Sequence, residues 1–217
     1  MLRVTAKRAT PRVERLHRYW LELARQHRAQ RTAMASPDHP APDHPASDHA
    51  ATEHDAAESR VKNQTGMKPA PGFSDTLAAA NPPPPRSMID PAAIVSILPH
   101  VLLAEFETDP FRVRYRLTGT RIDDATGANL TGKYLDDLAT GADAGIFRPM
   151  LENYRRAWQS GEAVIDYYHW TTENGRVMPV CYGIFPLTVD GAIRQAIAIE
   201  EQAAEDEADP PKPKLRR

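Results

Sequence analysis

Ten of the chain's 20 prolines fall within residues 33–85. Each proline lacks a backbone donor and fixes φ, so a stretch this rich in them cannot build a regular helix or an inner strand. Its first half is also repetitive. Ser36-Pro37-Asp38-His39-Pro40, Ala41-Pro42-Asp43-His44-Pro45, Ala46-Ser47-Asp48-His49-Ala50 and Ala51-Thr52-Glu53-His54-Asp55 are four turns of one five-residue theme. Residues 33–85 therefore read as an unpacked linker closed by a stiff Pro82–Pro85 spacer. The hydrophobic core has to come from the rest of the chain.

The repeat's histidines invite a metal reading, and geometry argues against it. In an extended proline-rich chain, five residues separate successive imidazoles by ~15 Å. In a helix, five positions turn through ~140° and leave the common face. A solvated linker is the simpler expectation, and no metal is assigned to it.

Only 41% of the 217 residues are hydrophobic, which suits one modest core. No apolar run approaches the ~18 residues of a membrane-spanning helix. The start, Met1-Leu2-Arg3-Val4-Thr5, offers no secretory apolar stretch, and the lone Cys181 can form no intrachain disulfide, so a cytoplasmic setting is expected.

Charge is segregated along the chain. Residues 1–32 hold nine Lys/Arg against two Glu, whereas residues 88–200 hold ten basic against fifteen acidic groups. Within 1–32, Thr10 is a candidate N-cap and Pro11 suits the first helical position. Leu16, Trp20 and Leu23, with Val13, then make one apolar stripe on a basic helix spanning 10–32. So narrow a stripe needs a partner surface. The arginines around it make phosphates or anionic lipid a second possible target.

Residues 86–200 carry the folded domain, and 201–217 a charged tail. Asp90-Pro91 caps a short helix over 92–98. Strands follow at 101–107 and 111–118. In the second, Phe111, Val113, Tyr115 and Leu117 alternate with Arg112, Arg114, Arg116 and Thr118, the period of a half-buried antiparallel strand. A short helix runs from Thr120 to Gly127 and a longer one from 144 to 159. Strands at 163–172, 177–188 and 193–200 are separated by Asn174-Gly175 and Asp190-Gly191, both hairpin signals. In the last strand Ile193, Ile197 and Ile199 oppose Arg194, Ala196 and Ala198. Strands grouped around helices predict an α+β fold: an antiparallel five-stranded sheet with helices on one face.

Three stretches resemble a known family. They are Arg86-Ser87-Met88-Ile89-Asp90-Pro91 with Leu98-Pro99, Arg114-Tyr115-Arg116-Leu117-Thr118-Gly119-Thr120, and Leu130-Thr131-Gly132. They resemble PAS domains, and more narrowly the small PAS-like proteins of alphaproteobacteria. In those a helix bearing Tyr-Trp closely precedes the Ile-Asp-Pro stretch. Here Tyr19-Trp20 fits that helix, and the linker stands between as an insertion. The resemblance implies a five-stranded sheet that holds a small ligand under its helices, dimerisation through a flanking helix, and signal exits at the last strand and the N-terminal helix.

Catalytic chemistry finds little support. There is no Walker, dinucleotide-binding or His-Glu-x-x-His motif. Asp136-Asp137 and Asp123-Asp124 read as turn and helix-start acids. A haem would need His100 or His169, and the first follows Pro99 in a loop while the second sits on a strand. Cys181 lies on a strand rather than in the helical half that a flavin-reactive cysteine of PAS photosensors occupies, so the cofactor stays open.

What remains is a pocket lined by Tyr115, Met150, Tyr154, Tyr168, Trp170, Cys181 and Ile197, with plain core packing as the alternative. Leu16, Trp20 and Leu23, and the row Arg112, Arg114 and Arg116, are the candidate contacts for a protein partner or a second copy. The expected function is a sensory or adaptor module without catalysis. It would bind a small molecule or a protein. The alternative is attachment to nucleic acid or an anionic membrane through residues 1–32.

Overall fold

The computed structural model describes residues 9–34, 82–140, 144–171 and 175–203. The His39, His44, His49 and His54 repeat, most of the 201–217 tail and Asn174 lie outside the described residues. Helix α1 spans Pro11–Met34. Three short 3₁₀ segments, Arg86–Met88, Pro91–Ile94 and Leu98–His100, lead into strands β1 (Val101–Thr108) and β2 (Phe111–Thr118). Helices α2 (Thr120–Thr126), α3 (Leu135–Leu138) and α4 (Ala144–Ser160) follow, and then β3 (Val164–Thr171), β4 (Val177–Val189) and β5 (Ala192–Gln202).

The strands form one antiparallel sheet in the order β2-β1-β5-β4-β3. The two-residue turn between β4 and β5 has φ of 51° at Asp190 and 78° at Gly191. That left-handed pair matches the twist of a hairpin, as the Asp-Gly signal anticipates.

Each face of the sheet is buried under helices. The inner face packs Leu102, Ala104, Val113, Tyr115, Ile184 and Ala198 against Met150, Tyr154 and Ala157 of α4. The outer face packs Cys181, Phe185, Leu187, Ile197 and Ile199 against Val13, Leu16 and Trp20 of α1. The apolar stripe of α1 thus finds its partner surface on the chain's own sheet. Covering both faces explains β4, in which ten consecutive residues from Pro179 to Thr188 are buried. Gly183 admits the helix: a Cβ there would stand 2.7 Å from the Phe185 ring and 3.1 Å from Val13 Cγ1.

Two bulges alter the alternation expected from sequence. Leu103 pairs Leu117 while Ala104 pairs Tyr115, so Arg116 is an extra residue in β2. The parity flips there, and Leu117 leaves the Phe111, Val113 and Tyr115 face to become 51% exposed. In β5, Thr188 pairs Ile193 and Leu187 pairs Gln195, so Arg194 is the extra residue. Ile193 therefore joins Ala196 and Ala198 on the inner face, while Ile197 and Ile199 turn outward.

Other local expectations are also corrected. The helix expected over 92–98 is two 3₁₀ segments, the first capped by Asp90 Oδ1, which accepts from the Ala92 N–H at 2.9 Å. The cap residue of α2 is Gly119. Its Cβ would fall 2.4 Å from the Pro99 carbonyl oxygen, so only glycine fits this close approach. The Pro82–Pro85 run, expected within the linker, is packed. Pro83 and Pro84 are buried, the Thr188 N–H donates to the Pro84 carbonyl at 3.1 Å, and Pro85 bridges Thr188. This run takes the edge of β4 beyond the end of β3, whose last pairing there is Val164 with Ile184. Pro186 can therefore sit within β4 without removing a donor from the β3 ladder.

Candidate functional site

Polar groups converge between the inner sheet face and α4. Glu200 enters from β5, Tyr168 from β3, Tyr182 from β4, Tyr115 from β2, and Asn153 and Tyr154 from α4. The Tyr168 hydroxyl donates to Glu200 Oε2 at 2.7 Å. Asn153 Nδ2 donates to the Tyr182 oxygen at 2.6 Å and to Asp166 Oδ2 at 3.0 Å. Tyr115 and Tyr154 are fully buried, and the Tyr115 hydroxyl faces the Met150 sulfur at 3.9 Å. Aromatic contacts frame the cluster, with Tyr168 and Tyr182 centroids 5.9 Å apart and Phe106 and Tyr154 centroids 6.3 Å apart.

The electrostatics follow from burial. Desolvation pushes the Glu200 carboxyl above its ordinary range, and the Tyr168 hydrogen bond opposes the shift. Burial also raises the phenols of Tyr115, Tyr154 and Tyr168, and pushes Tyr182 up to about 12. The hydroxyls therefore remain protonated donors, and Glu200 is a half-buried acid whose charge is partly stripped of water. Such a cluster can recognise a polar group and orient it. Among the described residues no group of three or more His, Cys, Asp or Glu could hold a metal ion.

The structure brings together four of the seven residues expected to line a pocket: Tyr115, Met150, Tyr154 and Tyr168. Trp170 lies on β3 two residues beyond Tyr168, half-buried and outside both core clusters. Cys181 and Ile197 face the other way, beneath α1. Most of the expected partner residues make contacts within the chain. Leu16 and Trp20 are buried against the sheet, and Leu23 is buried as well. Arg112 forks onto Asp136 Oδ2 at 2.6 Å and Asp137 Oδ1 at 2.8 Å, and Arg116 reaches Glu105 at 3.4 Å. Arg114 pairs across the strand with Glu105 in the β1–β2 register.

Sequence reasoning missed Glu200, Tyr182 and Asn153. The available signal was a pair of acids, Glu200-Glu201, at the end of an otherwise apolar strand. These neighbours face opposite ways. Glu200 enters the inner cluster, whereas Glu201 crosses to α1, where Oε2 accepts the Arg12 N–H at 2.8 Å and Oε1 pairs with the Arg12 guanidinium. Thr10, the expected cap, is buried and its hydroxyl makes no cap bond. A carboxylate from β5 caps α1 instead.

Comparison with known proteins supplies the family. No curated protein matches the chain. Among solved structures, the PAS domain of BvgS from Bordetella pertussis is 20% identical, covers 52% of this chain and 84% of that one, and gives a TM-score of 0.42. A light-oxygen-voltage domain is 14% identical over 54% and 86% of the two chains, with a TM-score of 0.39. VqmA bound to DPO is 12% identical over 52% and 56%, with a TM-score of 0.40. A PAS domain family model matches residues 72–190, more than half of the chain. The chain belongs to the PAS domain family.

Proposed function

We propose that this PAS domain is a sensory module whose inner Tyr–Glu200 cluster recognises a small polar molecule and whose output is the seating of α1. The observation that carries this reading is the pair Glu200-Glu201. One strand end contacts the buried cluster through one carboxylate and holds the helix through the next. A ligand that moves Glu200 necessarily strains the cap on α1. A protein partner or a second copy then reads the helix or the surface it leaves. The module performs no catalysis of its own, works in the cytoplasm, and is organised like the small PAS-like proteins of alphaproteobacteria. No described helix is long and apolar enough to cross a membrane.

Native mass spectrometry of the purified full chain tests the ligand. A stoichiometric mass increment that is lost in Glu200→Gln and Tyr168→Phe supports the site. An increment that survives both substitutions, or its absence together with no thermal shift across a metabolite panel, overturns it.

A second reading draws on the outer face of α1, where Arg15, Arg18, Arg25, Arg28 and Arg31 remain exposed after docking. This face suits nucleic-acid phosphates better than a bilayer, because the apolar stripe that would enter lipid is already buried. Binding to DNA that falls steeply with salt and is lost on charge reversal at Arg18 and Arg28 would favour it.

A further inference from the structure

An open cleft of about 510 Å³ lies at the end of β5, where Glu201 rather than Glu200 lines it. Its lining comes from three separate elements and the strand end: Arg12 of α1, His100 of the third 3₁₀ segment, Arg121 of α2, and Glu201, Gln202 and Ala203. Two guanidiniums and an imidazole therefore face a single carboxylate. That carboxylate is already engaged, since Glu201 accepts from both the backbone and the side chain of Arg12. Arg121 is 67% exposed and its ion-pair contact with Asp124, at 4.0 Å, is long. The cleft is thus a positive concavity with spare guanidinium donors, which is what planar oxyanions require.

We propose that this cleft binds a small multivalent oxyanion, a phosphate- or carboxylate-bearing metabolite, between Arg121, His100 and Arg12. The site is independent of the tyrosine cluster in its residues and its ligand chemistry. Its position gives it a consequence. An anion on Arg12 competes with Glu201 for the same guanidinium, so occupancy loosens the tie between β5 and the start of α1.

The charged groups around His100 are Arg12, Arg121 and Glu201, and the backbone of Glu200 lies beside its ring. Burial and the two arginines hold the imidazole below its ordinary range, so it is largely neutral near pH 7 when the cleft is empty. An oxyanion in the cleft offsets the arginines and favours the imidazolium.

The test is an NMR titration of the His100 ring in the full chain with inorganic phosphate, with malonate, and with sodium chloride at matched ionic strength. Saturable shifts with phosphate or malonate, a rise in the His100 titration midpoint, and at least tenfold weaker binding in Arg121→Ala are expected. Saturation by phosphate alone assigns a phosphate ligand, and saturation by malonate alone a carboxylate. Shifts no larger than those in chloride, or binding unchanged in Arg121→Ala, overturn the proposal. Arg121 is exposed, so its removal leaves the fold intact, and an unchanged amide spectrum away from the cleft verifies this.

Discussion

Replacing Trp20 by alanine should release α1 from the sheet without unfolding the domain. Trp20 is 7% exposed, its Nε1 donates to the Pro186 carbonyl at 2.8 Å, and its ring lies 6.2 Å from that of Phe185. Truncating a buried aromatic residue of this size costs about 3–5 kcal/mol. About 1 kcal/mol of that is the lost hydrogen bond. At ~1.4 kcal/mol per tenfold, the docked state loses roughly two to three and a half powers of ten in population. Isolated α1 is marginal in water, so undocking melts it as well. Hydrogen exchange with peptide-level mass spectrometry reads this directly. Amides of 11–34 should exchange faster by that factor, while β1 and β2 keep their protection, because their ladders to each other and to β5 do not depend on the helix. Trp20→Phe keeps a ring and loses the bond to Pro186, so its acceleration should be only about fivefold. A change below tenfold in Trp20→Ala would refute docking through this stripe. Equal loss of protection in β1 and β2 would refute the separability of helix and domain.

Further outcomes follow from single contacts. Gly119→Ala drives a Cβ to 2.4 Å from the Pro99 carbonyl oxygen and should destabilise the domain by about 3 kcal/mol in urea melts. Glu201→Gln weakens the cap on α1 and its pair with Arg12, so the helix should lose about 1 kcal/mol of protection at its first turn, read by exchange at 11–16. Glu200 has a raised folded-state pKa, so ionising it opposes folding. Stability should therefore fall as pH rises from the unfolded value of 4.5 through the folded one, and Glu200→Gln should remove that slope in thermal melts recorded from pH 4 to 8.

Much of the fold was legible because its signals are local. The Arg112, Arg114 and Arg116 alternation located β2 to the residue, and Asp190-Gly191 located the β4–β5 hairpin. Gly161, with φ of 70°, follows the end of α4 as expected for a C-terminal glycine. What failed depends on partners distant in sequence. A bulge is set by the register of two strands, so neither Arg116 nor Arg194 announces itself as the extra residue. Each slip moved a hydrophobic residue, Leu117 or Ile193, to the other face. The placement of Cys181 and Ile197 under α1 was hidden for a related reason. A sheet buried on both faces gives continuous apolar strands, in which alternation no longer says which side is inner. Likewise, the buried proline run reads as linker by composition and is held only by its contact with Thr188.

The most direct test of coupling between the inner cluster and α1 is hydrogen exchange across 11–34 in Glu200→Gln beside the parent chain, at pH 7 and again near pH 4. The side chain of Glu200 faces away from α1, so any effect on the helix must travel through β5 and Glu201. Slower exchange of 11–34 in the variant at pH 7, larger than any change in 101–118, and converging with the parent near pH 4, is the predicted result. Identical exchange of 11–34 in both chains at pH 7 would contradict it.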